Sequence, residues 1–580
     1  MVRLPSRYVS LGFLVLACLA SVARAQEKPA PIRVFYNAKV FTGEPNRPYA
    51  DSVAIRGEKI LAVGSHPEVT SQVGESVESV DLQGKTLLPG LIDSHIHTIM
   101  GGLSLAGADV GDRNVSVDEL VAFAAEAKKS GRGMRGDILY VSGMPLALWS
   151  KTDQLNAKFS TGIYAEAPVF LAGSDGHTGW ANPNLLRRAG VTKEFLSKLS
   201  ESQRAYYGVG RDMEPNGFAV DDGLRKIQAV LPEPTKEQRL EGGRAAVQYL
   251  HSLGITSWLD PLADRPVLAT YRDLAQRGEL TATVAAFPQV NPRNDPVQEI
   301  AAIQKLRKEF AGVPNLTVPG FKVFADGVVE YPSQTAALTK PYRNTGKSGD
   351  LLFDPARFSE LVTAADKQGL IVHVHALGDR AVKETLNAIE AARKANGNSG
   401  LPHTLTHVQL ADPEDIPRFG QLGAVAALQL LWAQAGEDTI ELVKPYIDPT
   451  LYQWQYPARS MLDAGATISG ASDWFVSSPN VFLAIYEAET RKGPEGVLDA
   501  SQRMPREAML YAYTRNSARA MNQSDRIGSI APGKQADLTL VDRDVLTVPA
   551  EEMRDTKILW TMVAGRVVWS AAATDNKNAH

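Results

Sequence analysis

Two histidines sit one residue apart at the end of an apolar run, His95 and His97 in LLPGLIDSHIH. Side chains of a strand alternate between faces, so both point the same way. A pair of imidazoles on one face is the start of a metal site. Four further residues able to bind a cation or carry a proton lie in later apolar runs. They are Lys322 in GFKVFADG, His375 in LIVHVHALGD, His407 in HTLTHVQL and Asp473 in ATISGASDW. Singly, each has an ordinary explanation. A strand histidine is usually a satisfied core residue, a strand lysine a solvated edge, and Asp473 a helix cap. Jointly, inward-facing polar groups at strand ends are costly without a shared partner, and a metal supplies one. His373 shares a face with His375, and His403 with His407. The later member of each pair lies nearer the strand end, which favours His375 and His407 and leaves His373 and His403 one layer deeper, as packed or supporting groups.

These residues can act together only if the fold gathers strand ends. The middle of the chain alternates strand candidates with helical stretches. The strand candidates are LLPGLIDSHIH, GITSWLD, LTATVAAFPQV, VPGFKVFADG, LIVHVHALGD, HTLTHVQL, AVAALQLLW and ATISGASDW. The helical stretches include PARFSELVTAADKQG and DRAVKETLNAIEAARKAN. That alternation predicts an α/β fold, a (β/α)8 TIM-like barrel, whose active sites gather at the C-terminal strand ends. The chain from His97 to Gly254 is far longer than the roughly 30 residues of a barrel unit. It is read as a large insertion after the first barrel strand, at about 105–250. Short β-branched runs with turns fill both termini, IRVFYNAKVFTG and DSVAIRGEKILAVGS at one end and ILWTMVAGRVVWS at the other. They predict a small β-sandwich built from 26–89 and 521–573, flanking a barrel at 90–520, with a disordered tail at 574–580.

The chain has 580 residues, 22% charged and 44% hydrophobic, with a formal net charge of -4. No basic run suggests a nucleic-acid partner. Residues 1–25 read as a cleavable secretory signal. Arg3 and Arg7 precede the apolar LGFLVLACLASV, and Ala23-x-Ala25 offers a cleavage site before Gln26. The expectation is an exported, periplasmic or secreted protein with no membrane contact after processing; lipidation at Cys18 is a minor alternative. Cys18 is the only cysteine. A mature chain without cysteine excludes disulfides, thiolate metal sites and cysteine nucleophiles.

The ordered motifs resemble the amidohydrolase superfamily. LLPGLIDSHIH looks like its first-strand signature, and FKVFADG, VHVHALGDRA, LTHVQL and SGASDW continue the likeness in order. PVFLAGSDGHTGWANPNLL is similar to the insertion of amidohydrolase family 3, the branch containing N-substituted formamide deformylases. YTRNSARAMNQSDRIGSIAPGKQADLTLVDRD resembles the tail that completes the sandwich in these enzymes. The resemblance implies that His95, His97 and Asp473 bind one metal and that His375 and His407 bind a second. Lys322, carboxylated on its amine, would bridge them. It implies one or two divalent metals, zinc foremost with manganese, iron and nickel as alternatives. It also implies Asp473 as general base and His177 as a donor near the substrate carbonyl. The expected reaction is hydrolysis of an amide or N-acyl bond in a small molecule. Esters or lactones, deamination, and a non-catalytic exported binding protein are the alternatives, and a homo-oligomer is left open. Asp93 reads as structural or adjacent to the ligands, Asp379 as a helix N-cap, and Trp180, Trp432 and Trp474 as pocket or core aromatics. Two segments depart from the family pattern. VSGMPLALW stands where Gly-Trp-Asp is usual, and VVEYPSQTAAL replaces a glycine-serine run after ADG.

Overall fold

The computed structural model describes residues 30–572 except 75, 112 and 114. The signal segment, Cys18 and the tail at 574–580 lie outside the described residues. No helix among the described residues is long and apolar enough to cross a membrane.

The barrel closes from two parallel sheets. One holds barrel strands one to three: Leu91–Asp93, Ile255–Asp260 and Thr283–Ala286. The other holds strands four to eight: Gly320–Phe324, Ile371–Ala376, Thr404–His407, Val425–Leu428 and Thr467–Gly470. Strand four is broken by Pro319, which has no N–H for the ladder. Leu316–Thr317 pairs with strand three, and Gly320–Phe324 pairs with strand five. Lys322 N donates to Pro288 O at 2.9 Å and completes the seam. The ring closes where Ser94 N donates to Gly470 O at 2.9 Å, with Ser94 Oγ on Ser469 Oγ at 2.9 Å.

The termini build the sandwich jointly. Leu538–Val541 pairs antiparallel with Thr86–Pro89, beside Lys39–Phe41 and Ile558–Val563. A second sheet holds Ile32–Tyr36, Ser52–Arg56, Lys59–Gly64 and Glu78–Asp81. Phe35, Val53, Leu87, Leu538 and Met562 fill the space between them. Gly90 carries the chain from sandwich to barrel. A Cβ there would lie 2.2 Å from Thr256 Oγ1, so only glycine lets the two units abut.

The long connection after strand one is a subdomain. Its six-stranded sheet contains Ile138–Met144, Val169–Gly173, Thr178–Ala181 and Pro215–Val220. Leu139, Leu171, Phe159 and Trp180 form part of its core. It is anchored by two helices packed glycine to glycine, Thr98–Ala106 and Lys236–Ser252. A Cβ on Gly102 would lie 1.9 Å from the Gly242 carbonyl oxygen, a backbone atom that cannot turn aside. Because His97 caps the first of these helices, the contact also fixes the metal-facing end of strand one. Gly102→Val is expected to lower stability by about 3 kcal/mol, at the upper end for overpacking. The exposed Ala106→Val should stay within about 0.5 kcal/mol. Thermal unfolding of the two variants checks this.

Candidate metal centre

Backbone lacing between strands one and eight positions the first ligands. The Asp93 carboxylate accepts from His95 N and Ser472 N, each at 3.1 Å. Asp473 N donates to His95 O, and His97 N to Trp474 O, each at 2.8 Å. Burial pushes the Asp93 carboxyl up to about 7. Asp473 and His407 hold φ of 58° and 76°. For a non-glycine residue that left-handed conformation costs about 1–3 kcal/mol, and it turns both side chains at the strand ends.

The result is a converging trio. Asp473 Oδ1 lies 3.1 Å from His95 Nε2 and 3.0 Å from His97 Nε2. One ligand atom from each of the three residues falls within 4.8 Å of the others. Asp473 Oδ1 is buried and no donor meets it in hydrogen-bond geometry. Burial holds His95 well below its usual pKa, so its imidazole is neutral with a lone pair to give. For Asp473, burial acts upward, but His97, His407 and Lys322 outweigh it and the carboxyl is lowered. Lone pairs and an anionic oxygen aimed at one point fit a divalent cation. Behind His95, its Nδ1 meets His373 Nε2 at 2.7 Å. With Nε2 on the metal side, Nδ1–H donates to His373, the orienting contact that metal-bound histidines require.

The remaining predicted residues lie alongside. The His407 ring is 5.0 Å from His95 and 4.7 Å from His375, and stacks on Trp432 at 5.7 Å. His407 Nδ1 meets Gln429 Oε1 at 3.0 Å and lies 4.0 Å from Asp473 Oδ2. His375 Nε2 donates to Gly327 O at 3.0 Å. Burial keeps both rings neutral. Lys322 is 1% exposed, with no carboxylate among the described residues within salt-bridge distance and its Nζ 4.8 Å from the Phe324 ring. Burial lowers its pKa to about 7. His177 reaches in from the insertion, its ring 5.1 Å from His375 and its Nδ1 2.8 Å from Asp221 Oδ1. Burial acts downward on His177, but the Asp221 hydrogen bond and the charges of Asp221 and Asp175 win, so its pKa is raised. His403 lies deeper, bonded to Asp366 Oδ1 at 2.9 Å.

One expectation is corrected. Asp379 is not the cap of helix Asp379–Asn396; Gly378 holds that position. The Asp379 carboxylate instead accepts from Thr339 N and Oγ1. The chain start of that helix is held by Asp326, which accepts from Leu377 N at 3.0 Å and from Gly378 N at 2.8 Å. Sequence reasoning passed over Asp326, although ADG at a strand end was a visible signal. Asp221 and Gln429 had none, since their partners are set by the insertion and by the neighbouring strand. Of the tryptophans, Trp432 lines the cavity, Trp180 is in the insertion core, and Trp474 packs on Tyr249.

A closed (β/α)8 barrel with a buried His-His-Asp cluster at its C-terminal mouth defines a metal-dependent hydrolase. A family profile described as the amidohydrolase family matches residues 78–569. The chain belongs to that family. It is 28% identical to Protein LONG AFTER FAR-RED 3 of Arabidopsis thaliana, over 92% of this chain and 91% of that one. It is 24% identical to N-substituted formamide deformylase of Arthrobacter pascens, over 91% of this chain and 96% of that one. Among solved structures it resembles an uncharacterized metal-dependent hydrolase from Pyrococcus horikoshii OT3. The TM-score is 0.68 at 24% identity, covering 90% of this chain and 99% of that one.

His95→Ala and His97→Ala are expected to abolish retention of a divalent metal through dialysis. His373→Phe should weaken affinity about 10–100-fold by loss of the orienting contact. Metal analysis and competition with a chelator read both.

Proposed function

We propose that this protein is an exported hydrolase of carbon–nitrogen bonds in small amides or N-acyl compounds. In this reading zinc is the metal and Lys322 is carboxylated. The observation that carries it is the buried, unmatched Asp473 Oδ1 between His95 Nε2 and His97 Nε2. The likeness to the formamide deformylase supports the carbon–nitrogen assignment. The buried Lys322, lowered to about 7, supplies the neutral amine that carbon dioxide can carboxylate. The resulting anion would reach toward both His95–His97 and His375–His407 as a bridge.

A divalent ion held there supplies Lewis acidity, lowering the pKa of a bound water towards about 7 and polarising a carbonyl. This chain's residues do the rest. Asp473 accepts the proton of the attacking water and delivers it to the departing nitrogen. Water adds its oxygen to the carbonyl carbon, the carbon–nitrogen bond breaks, and an acid and an amine leave. His177, whose protonated form Asp221 favours, donates to the carbonyl oxygen as negative charge grows on it.

Asp473→Asn should lower kcat by about 10²–10⁴-fold, the range of a lost general base, while a fraction of the metal stays bound. Full rate in that variant would remove Asp473 from this role. The decisive screen uses metal-loaded protein on N-formyl, N-acetyl, cyclic amide and ester substrates, with Asp473→Asn as blank. Faster turnover of esters than of every amide would overturn the carbon–nitrogen assignment.

The His177–Asp221 pair sets a pH limit. Asp221 raises the His177 pKa, and the protonated form is the donor. Activity attributable to it is therefore present below that pKa and lost above it. Asp221→Asn lowers the pKa, so the alkaline limb of the pH–kcat profile should move to lower pH. An unmoved limb rules out this pairing. For export, the secreted or periplasmic chain should begin at Gln26, read by N-terminal sequencing.

A further inference from the structure

The cavity above the metal cluster has a volume of about 600 Å³ and includes His177, His375 and His407 among its walls. Its other charged lining is largely acidic. Asp175, Glu330, Glu437, Asp438 and Glu487 face it, and among the described lining residues Arg113 is the single lysine or arginine. Arg113 is engaged elsewhere, donating to Val110 O at 2.7 Å and lying over the Phe123 ring.

Acidic residues around an opening are common, and three buried acceptors set this opening apart. Gln409 is 1% exposed and lines the cavity. Its Nε2 donates to Glu330 Oε1 at 2.7 Å, which fixes the amide orientation; its buried Oε1 has no donor. Asp175 uses Oδ1 for His177 N, Thr178 N and Thr178 Oγ1, at 3.1, 2.9 and 2.7 Å. Its buried Oδ2 has no donor. Glu487 is 7% exposed, and its buried Oε2 also has none. An unmatched buried acceptor is destabilising, because it gives up its water without gaining a donor. A ligand that brings several N–H donors and a positive charge offsets that cost at several acceptors at once.

The placement ties this acidic wall to the reacting centre. Gln409 follows His407 by two positions, and Asp175 precedes His177 by two. Glu330 lies in VVEYPSQTAAL, the segment that departs from the family pattern after ADG. A departure at the pocket wall is where one member of a family would set its own substrate preference.

We infer that the cavity selects amides carrying a protonated amine, with Glu330, Gln409 and Asp175 receiving the ammonium group. This rests on the hydrolase reading for its chemistry, though the cation site itself does not. Gln409 Oε1 and Asp175 Oδ2 are unmatched, and with the Glu330 carboxylate they offer three acceptors for the three N–H donors of a primary ammonium. Burial, with repulsion from Asp438 and Asp175, pushes the Glu330 carboxyl up to about 7 despite its bond from Gln409. A bound ammonium counters that repulsion and keeps Glu330 ionised. Asp438 and Glu437, exposed at the opening, extend the negative field outward and would steer a cation in.

The test uses the metal-loaded mature chain and matched N-formyl and N-acetyl derivatives of 1,4-diaminobutane, pentylamine and 5-aminopentanoate. They differ only in an ammonium, methyl or carboxylate end. The ammonium compounds should show kcat/KM at least tenfold above the methyl ones, with the carboxylates lowest. Glu330→Gln should bring the ammonium-to-methyl ratio close to one, chiefly through KM, and Asp438→Asn should lower it less. A ratio near one in the wild type, or one unchanged by Glu330→Gln, overturns the inference. A second arm needs no turnover. Butylammonium should bind by calorimetry and weaken at least tenfold in Glu330→Gln, whereas butyrate should not bind. If no amide is cleaved yet butylammonium behaves so, the hydrolase reading fails and the cation site stands. Butyrate binding as tightly as butylammonium, or a divalent ion held by Glu330 that excludes butylammonium, overturns the site.

Discussion

The structure depends on one constraint: polar groups buried at the barrel mouth must share a partner. His95, His97, His375, His407, Lys322 and Asp473 are all buried at the mouth of the barrel. Without a cation, Asp473 Oδ1 is left unmatched between two imidazoles. Unpaired burial of that kind would be strongly destabilising. A divalent ion converts the same arrangement into a coordination site, and the surrounding architecture keeps the ligands in place for it.

That architecture is built of short backbone ties more than of large contacts. Asp93 holds the ends of strands one and eight together through two N–H groups. Asp326 plays the corresponding part at strand five, gathering Leu377 N, Gly378 N and Ala337 N. Glycines set the larger pieces close: Gly90 lets the sandwich abut the barrel, and Gly102 lets the insertion anchor beside His97. The insertion then supplies His177 and Asp175, so the cavity wall comes partly from outside the barrel. A rigid scaffold carrying variable loops is how this fold changes substrates without changing its metal chemistry.

Much of this was legible in the chain itself. The spaced histidine pair marked His95 and His97, although they lie just past strand one, which ends at Asp93, so loop geometry and not strand alternation brings them together; the ordered strand ends led to Lys322, His375, His407 and Asp473. The inner placement of His373 and His403 followed from strand alternation, and the structure has them against His95 and Asp366. Side-chain partnerships across the fold were not legible. Asp221 reaches His177 only because the insertion sheet folds back, and Gln429 meets His407 only through strand pairing. Asp379 misled because a carboxylate at a helix start usually caps it, whereas here a neighbouring loop offered Thr339. Glu330 showed as a departure in pattern, but its place in an acidic wall needed the pocket.

The central claim is that a cation is the shared partner of the His95–His97–Asp473 cluster. Anomalous diffraction at the zinc edge, from crystals grown with zinc, tests it most directly. The account predicts a peak at about 2.0–2.2 Å from His95 Nε2, His97 Nε2 and an Asp473 oxygen. A map with no peak there, and Asp473 hydrogen-bonded directly to protonated histidines, would contradict it.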